Sequence, residues 1–176
     1  MYNNIMASFT TKTFLKYDDY GTPSDAYKII EHIIEPWKHK VIYEPFYMDG
    51  RSGQILRDMG CTNVIHEKEY DFFEMVDKLD YDIIISNPPF TIKKDIMIKL
   101  KEIDKPFILI MPCSVLVTKY IRDLYRNDIQ IVLPKKRIQF YKLNQDKEPV
   151  YNGKSNFECF YYCYKCNLPR DINWLT

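Results

Sequence analysis

Glycine is scarce, and charge of one sign is nearly absent as a surplus. The 176 residues hold five glycines, and 25 Lys and Arg offset 24 Asp and Glu, for a net charge of +1. So little glycine excludes collagen-like and linker sequence. Balanced charge excludes a globally basic nucleic-acid coat and leaves only a local basic patch open. No apolar run approaches the ~18–20 residues that span a bilayer, which predicts no membrane partner. The start, Met1 to Ser8, lacks a basic region followed by an apolar stretch, which predicts no secretory leader. The cysteines number five, which is odd, so a disulfide framework is not expected. Cys163-Tyr-Lys-Cys166 has the spacing of half a zinc site. Read as strand, however, the segment puts Cys159 and Cys163 on one face and Cys166 on the other. His32, His39 and His66 supply no second ligand pair. The cysteines therefore read as thiols of a reducing, intracellular compartment (cytoplasm or nucleus), with no metal.

What is present is core-forming material: 46% of residues are hydrophobic and 15% aromatic, enough to bury a sizeable interior. The length fits one domain. Residues 1–19 are polar and read as a flexible N-terminal arm, leaving 20–176 as a single domain. Thr22 reads as a helix N-cap with Pro23 in the first turn, and an apolar stripe runs from Ala26 to Trp37. Strands are expected at 41–43, 63–66, 82–86, 106–111, 129–133 and 156–165. Helices are expected at 54–59 (closed by Gly60), near 70–74, and at 92–102 and 115–127; 150–155 reads as a polar turn. Strands apolar on both faces, alternating with helices, predict an α/β fold with a mostly parallel sheet covered on both sides. In such sheets ligands bind at the carboxyl ends of the strands.

The most informative segment is Asp82-Ile-Ile-Ile-Ser followed by Asn87-Pro88-Pro89-Phe90. An exocyclic amine conjugated to a ring is a poor nucleophile because its lone pair is delocalised. The Asn87 side-chain oxygen and the Pro88 carbonyl can each accept a hydrogen bond from such an amine. Two acceptors favour a pyramidal nitrogen and stabilise the positive charge that develops on it. The prolines stiffen the turn, so the acceptors are held in advance, and Phe90 offers a face for stacking. The segment resembles the catalytic motif of S-adenosylmethionine-dependent amino-methyltransferases, in the form typical of N6-adenine enzymes. The same form also occurs in guanine-N2 and protein-glutamine methyltransferases. The resemblance implies a Rossmann-like class I domain with a seven-stranded, mostly parallel sheet and S-adenosylmethionine as cofactor.

Other segments extend the resemblance in the family's order. Glu44-Pro45-Phe46 is similar to the start of the loop after the first strand. There the acidic residue, Glu44, would hold the cofactor's ammonium group. Gly50, Ser52 and Gly53 stand in that loop, with the glycines at altered spacing and Met48 where the family has a glycine. Tyr20-Gly-Thr22-Pro23 resembles the segment beside the cofactor carboxylate, with Thr22 as donor next to a helix start. After the second strand, Glu67 would take the ribose hydroxyls, with Glu69 as the fallback. Asp71 would sit near the adenine amine and Phe72 against its ring. Lys135, Lys136 and Arg137 resemble a late segment that meets the target, with phosphates as their counterpart; Phe140 or Tyr141 would form a wall of the base pocket. The last strand, from Asn156, resembles the antiparallel strand of the family sheet. The expected function is methyl transfer to the N6 amine of adenine in DNA or RNA. No stretch remains for a separate recognition domain, so target selection is open to a partner subunit. The alternatives are methylation of another planar amine, guanine N2 or glutamine, and a non-catalytic scaffold that keeps the fold.

Overall fold

The computed structural model describes residues 20–151 and 157–175. The expected N-terminal arm lies outside them, as do most of the expected polar turn and the first residue of the expected last strand. Seven strands form one sheet in the order β10-β6-β9-β5-β4-β2-β3. They are β2 (Val41–Tyr43), β3 (Asn63–Ile65), β4 (Ile83–Ser86), β5 (Phe107–Pro112), β6 (Ile129–Leu133), β9 (Cys159–Tyr164) and β10 (Ile172–Trp174). Neighbours pair in parallel except β9, which runs antiparallel to both β5 and β6. The fold is thus α/β with a seven-stranded, mostly parallel sheet, as the apolar runs predict.

The period of two explains the layers. Ile84 faces one side of the sheet with Tyr43, Phe107, Leu109, Met111 and Tyr162. Its neighbours Ile83 and Ile85 face the other side with Ile42, Ile108, Ile110 and Tyr161. Both sides carry helices, so every residue of β4 is buried. The first side is covered by α4 (Phe72–Met75), α5 (Lys93–Ile103) and α6 (Lys119–Tyr125). The second is covered by α1 (Ser24–Lys28), α2 (Glu31–Ile34) and α3 (Arg51–Asp58).

Three local expectations need correction. The helix expected to run unbroken to Trp37 is two short pieces and a 3-10 turn over Glu35–Trp37, since Ile30 leaves helical geometry (φ −109°, ψ 18°). Thr22 does not cap it; Pro23 is the N-cap residue, and its carbonyl accepts from Ala26 N at 3.0 Å. Finally, β9 ends at Tyr164 and Lys165 turns in a left-handed conformation (φ 54°). Cys166 therefore folds back beside Cys163 instead of pointing to the opposite face. All five cysteines are free thiols. By contrast, Gly60 (φ 93°) closes α3 as its sequence position suggests: Gly60 N bonds Arg57 O at 2.9 Å, and Cys61 N bonds Leu56 O at 3.1 Å.

A smaller sheet lies over the larger one's edge. It consists of β1 (Tyr20–Gly21), β7 (Tyr141–Leu143) and β8 (Pro149–Val150), all antiparallel. Gly21 pairs with Tyr141, and a Cβ on Gly21 would fall 2.1 Å from the Tyr141 ring. Only glycine fits there, and the fit brings Tyr20, Gly21 and Tyr141 together over the turn that follows β4. Among the described residues, no helix is long and apolar enough to cross a membrane.

Candidate active site

Chain direction in the sheet splits beside β2: β3 lies on one side of it and β4 on the other. Loops leaving the carboxyl ends of β2 and β4 diverge at such a point and leave a crevice between them. Glu44 leaves β2 and Asn87 leaves β4. Two small adjoining hollows occupy the crevice, with volumes of about 20 and 30 Å³. They share Tyr20, Phe46, Met48 and Asn87 as lining.

Asn87 stands between the hollows with its side-chain oxygen in an unusual state. Among the described residues, Oδ1 is buried and has no hydrogen-bond partner. Buried polar atoms are nearly always paired, because an unpaired one costs about 1–3 kcal/mol. An acceptor left open at a crevice is a place for a donor from outside the chain. Pro88, Pro89 and Phe90 continue the second hollow. Phe90 is held edge-on by Phe157, with centroids 5.3 Å apart at 86°. Phe157 also holds Tyr20 edge-on at 5.4 Å. The aromatic walls of this hollow are therefore fixed by packing.

The first hollow is floored by the Glu44 carboxylate, and Glu44 is only 1% exposed. Its Oε1 accepts from Ser86 Oγ and from Phe46 N at 3.2 Å. Its Oε2 accepts from Ser52 Oγ and from His66 Nδ1 at 2.9 Å. A carboxylate offers about four lone-pair positions, and the chain itself fills all four. Glu44 therefore does not present a free oxygen to an ammonium group, as the resemblance implies it would. It ties four segments together instead: the loop after β2, the first turn of α3, the residue after β3 and the end of β4. His66 is sandwiched in turn. Tyr47 stacks on it at 4.7 Å and 18°, and a Cβ on Gly53 would lie 2.4 Å from its ring. Burial lowers the His66 pKa, but the hydrogen bond and charge of Glu44 outweigh burial and raise it above the ordinary 6.5.

The loop between them is shaped by left-handed residues. Gly50 is the N-cap of α3 at φ 84°. Met48, where the family has a glycine, takes φ 45° without being one. A side chain in that region costs ~1–2 kcal/mol, so the loop keeps a glycine-like shape at the expense of strain. Met48→Gly should raise stability by ~0.5–1 kcal/mol, strain relief less the extra chain entropy of glycine. A chemical denaturation midpoint reads this; a lowered midpoint would mean that the Met48 side chain contributes more by packing than it costs in strain.

Other expected residues are placed as follows. Tyr20, Thr22, Phe46 and Ser52 line the first hollow. Pro45 is buried in the loop, and Pro23 begins a helix too short to act as an anion site. Glu67 and Glu69 are exposed and line neither hollow. Asp71 caps α4, with Oδ1 accepting from Phe73 N at 2.9 Å and Glu74 N at 3.2 Å. Phe72 is 3% exposed and packs in the core against Phe46, leaving Phe73 as the partly exposed ring. Phe140 is 4% exposed and lies behind Phe157, centroids 5.4 Å apart. It buttresses the aromatic walls and does not line the hollow. Arg137 pairs with Glu158 at 2.6 Å. Lys135 and Lys136 line a separate groove and do not reach Asn87's crevice. Sequence reasoning missed Tyr27, Asp49, Ser86 and His66. Asp49 lines the first hollow; its Oδ2 accepts from Tyr141 Oη at 2.9 Å and pairs with Arg51 at 2.9 Å. A serine ending an isoleucine run was the available signal for Ser86.

No known family model matches this sequence, and no curated protein is significantly similar to it.

Proposed function

We propose that the chain is an S-adenosylmethionine-dependent methyltransferase acting on the N6 amine of adenine in nucleic acid. The observation that carries this reading is the open, buried Asn87 oxygen at the carboxyl end of β4, flanked by a fixed aromatic ring. The antiparallel strand β9 between β5 and β6 adds support, because the resemblance to class I methyltransferases implies such a strand.

The crevice residues fit the cofactor by chemistry. Tyr20, Thr22, Phe46, Ser52 and Asp49 would hold it in the first hollow, with Glu44 positioning the loop from beneath. S-adenosylmethionine supplies an electrophilic methyl group on a sulfonium. In the second hollow Phe90 stacks on the target ring and Asn87 Oδ1 accepts from its amine. Accepting that bond localises the nitrogen lone pair and steadies the positive charge as the nitrogen gains a methyl. Asn87 is no general base, so the surplus proton passes to water. A duplex target would need its adenine flipped out to reach this depth.

A labelled-methyl assay on DNA, RNA and protein, followed by nucleoside and amino-acid mass spectrometry, tests the reading. N6-methyladenine is the expected product. Methyl on guanine N2 or glutamine would overturn the substrate and keep the chemistry. Absence of S-adenosylmethionine binding by calorimetry would overturn the chemistry and leave a scaffold.

A further inference from the structure

A groove of about 510 Å³ opens beside β6 and β10, lined by Ile29, His32, Lys135, Lys136, Trp174 and Leu175. Its position follows from topology. Lys135 and Lys136 leave the carboxyl end of β6, and Trp174 ends β10, which runs parallel to β6 with Trp174 opposite Leu133. The groove therefore lies on the same carboxyl edge as Asn87. Trp174 is 71% exposed, an unusual state for the side chain with most apolar area to hide. The strand that carries it is anchored: Leu175 N bonds Leu133 O at 3.0 Å, and Asn173 Nδ2 bonds Arg170 O at 2.7 Å. Among the described residues neither lysine has a carboxylate partner, whereas the next cation, Arg137, is held by Glu158.

We propose that this groove binds single-stranded nucleic acid, stacking a base on Trp174 and meeting phosphates with Lys135 and Lys136. It rests on the preceding reading only for the reaction at Asn87; binding in the groove stands by itself. An exposed indole on an anchored strand offers its face to a flat partner, and an unpaired base has a free face where a paired base in a duplex has none. Two open ammonium groups beside it need anions at close spacing, which a phosphodiester backbone supplies. An acidic peptide would satisfy the lysines and leave the indole bare. The chain from Lys135 to Tyr141 runs from the groove to the crevice. Those six steps span at most ~20 Å, within reach of a short oligonucleotide whose target base enters the second hollow.

The test uses the full chain and a fluorescein-labelled oligothymidylate, which contains no adenine and so reports binding without methyl transfer. Trp174→Ala should weaken binding roughly 5- to 100-fold, the worth of one stacked base. Lys135→Gln with Lys136→Gln should flatten the slope of log affinity against log salt by about 1.4, two phosphate contacts on a single strand. A duplex of the same length should bind more weakly than the single strand. All three side chains are on the surface, and an unchanged melting midpoint will show that the variants are folded. Unchanged affinity in Trp174→Ala overturns the proposal, as does equal competition by polyglutamate. So does a Trp174-dependent dimer in sedimentation with no oligonucleotide bound. If oligothymidylate binds through Trp174 while no substrate is methylated, the groove stands and the reading of Asn87 fails.

Discussion

Asn87→Ala should lower methyl transfer about 10²–10³-fold while leaving the melting midpoint unchanged or higher. The two halves of this expectation come from one atom. Among the described residues Asn87 Oδ1 is buried without a partner, so the folded chain carries a desolvation cost of about 1–3 kcal/mol for it. Alanine removes that cost together with a small amount of packing. If the oxygen exists to accept from a substrate amine, activity and stability must part company. A residue kept for structure would behave the other way, losing stability first. Cofactor affinity should hardly change, because in the proposed reaction Oδ1 serves the amine and not the cofactor. Side-by-side measurement of initial rate, melting midpoint and S-adenosylmethionine calorimetry checks all three. Transfer that survives the substitution would remove Asn87 from the chemistry. A midpoint several degrees lower would mean that Oδ1 has a structural partner.

What was legible in the sequence was whatever depends on neighbours along the chain. The run Ile83-Ile84-Ile85 announces a strand buried on both faces, because β-branched residues at consecutive positions can satisfy only that environment. From there the turn at Asn87 lands on a carboxyl end without further information. Glu44 is placed by the same logic after β2. Its role was not legible, since its partners Ser86 and His66 come from 42 and 22 residues away, and nothing local says that they will converge on it. The small sheet was invisible for the same reason: Gly21 finds Tyr141 across 120 residues of intervening chain. The break in the first helix shows the opposite failure. An apolar stripe from Ala26 to Trp37 sets which face is buried, but it does not keep Ile30 helical once α1 and α2 each pack against the sheet. Phe140 and Phe72 illustrate a limit of composition. An aromatic near a site is equally good as wall or as buttress, and only packing decides that both stand behind the surface.

Glu44 is where the second large effect is expected, and here stability should fail before binding does. Glu44→Ala leaves the Ser52 and Ser86 hydroxyls and Phe46 N without their acceptor and His66 without its carboxylate, all at a position 1% exposed. Breaking a buried pair in this way costs about 3–5 kcal/mol, a large share of a domain's typical 5–15 kcal/mol. Glu44→Gln separates charge from shape. The amide keeps the volume and one oxygen acceptor, the serine hydroxyls can rotate to suit it, and only the attraction for His66 is lost. That attraction is what raises the His66 pKa above 6.5. A raised folded-state value means that the pair's contribution is complete below the ordinary pKa and fades as pH rises through the raised one. The gap in melting midpoint between the native chain and Glu44→Gln should therefore be wide near about pH 6 and narrow near about pH 9. A gap that does not change with pH would show His66 to be neutral throughout, its Nδ1 donating to the Glu44 backbone oxygen at 2.8 Å with no help from charge. If instead Glu44→Gln loses S-adenosylmethionine affinity at an unchanged midpoint, the carboxylate contacts the cofactor directly, and the serines must swing aside to let it.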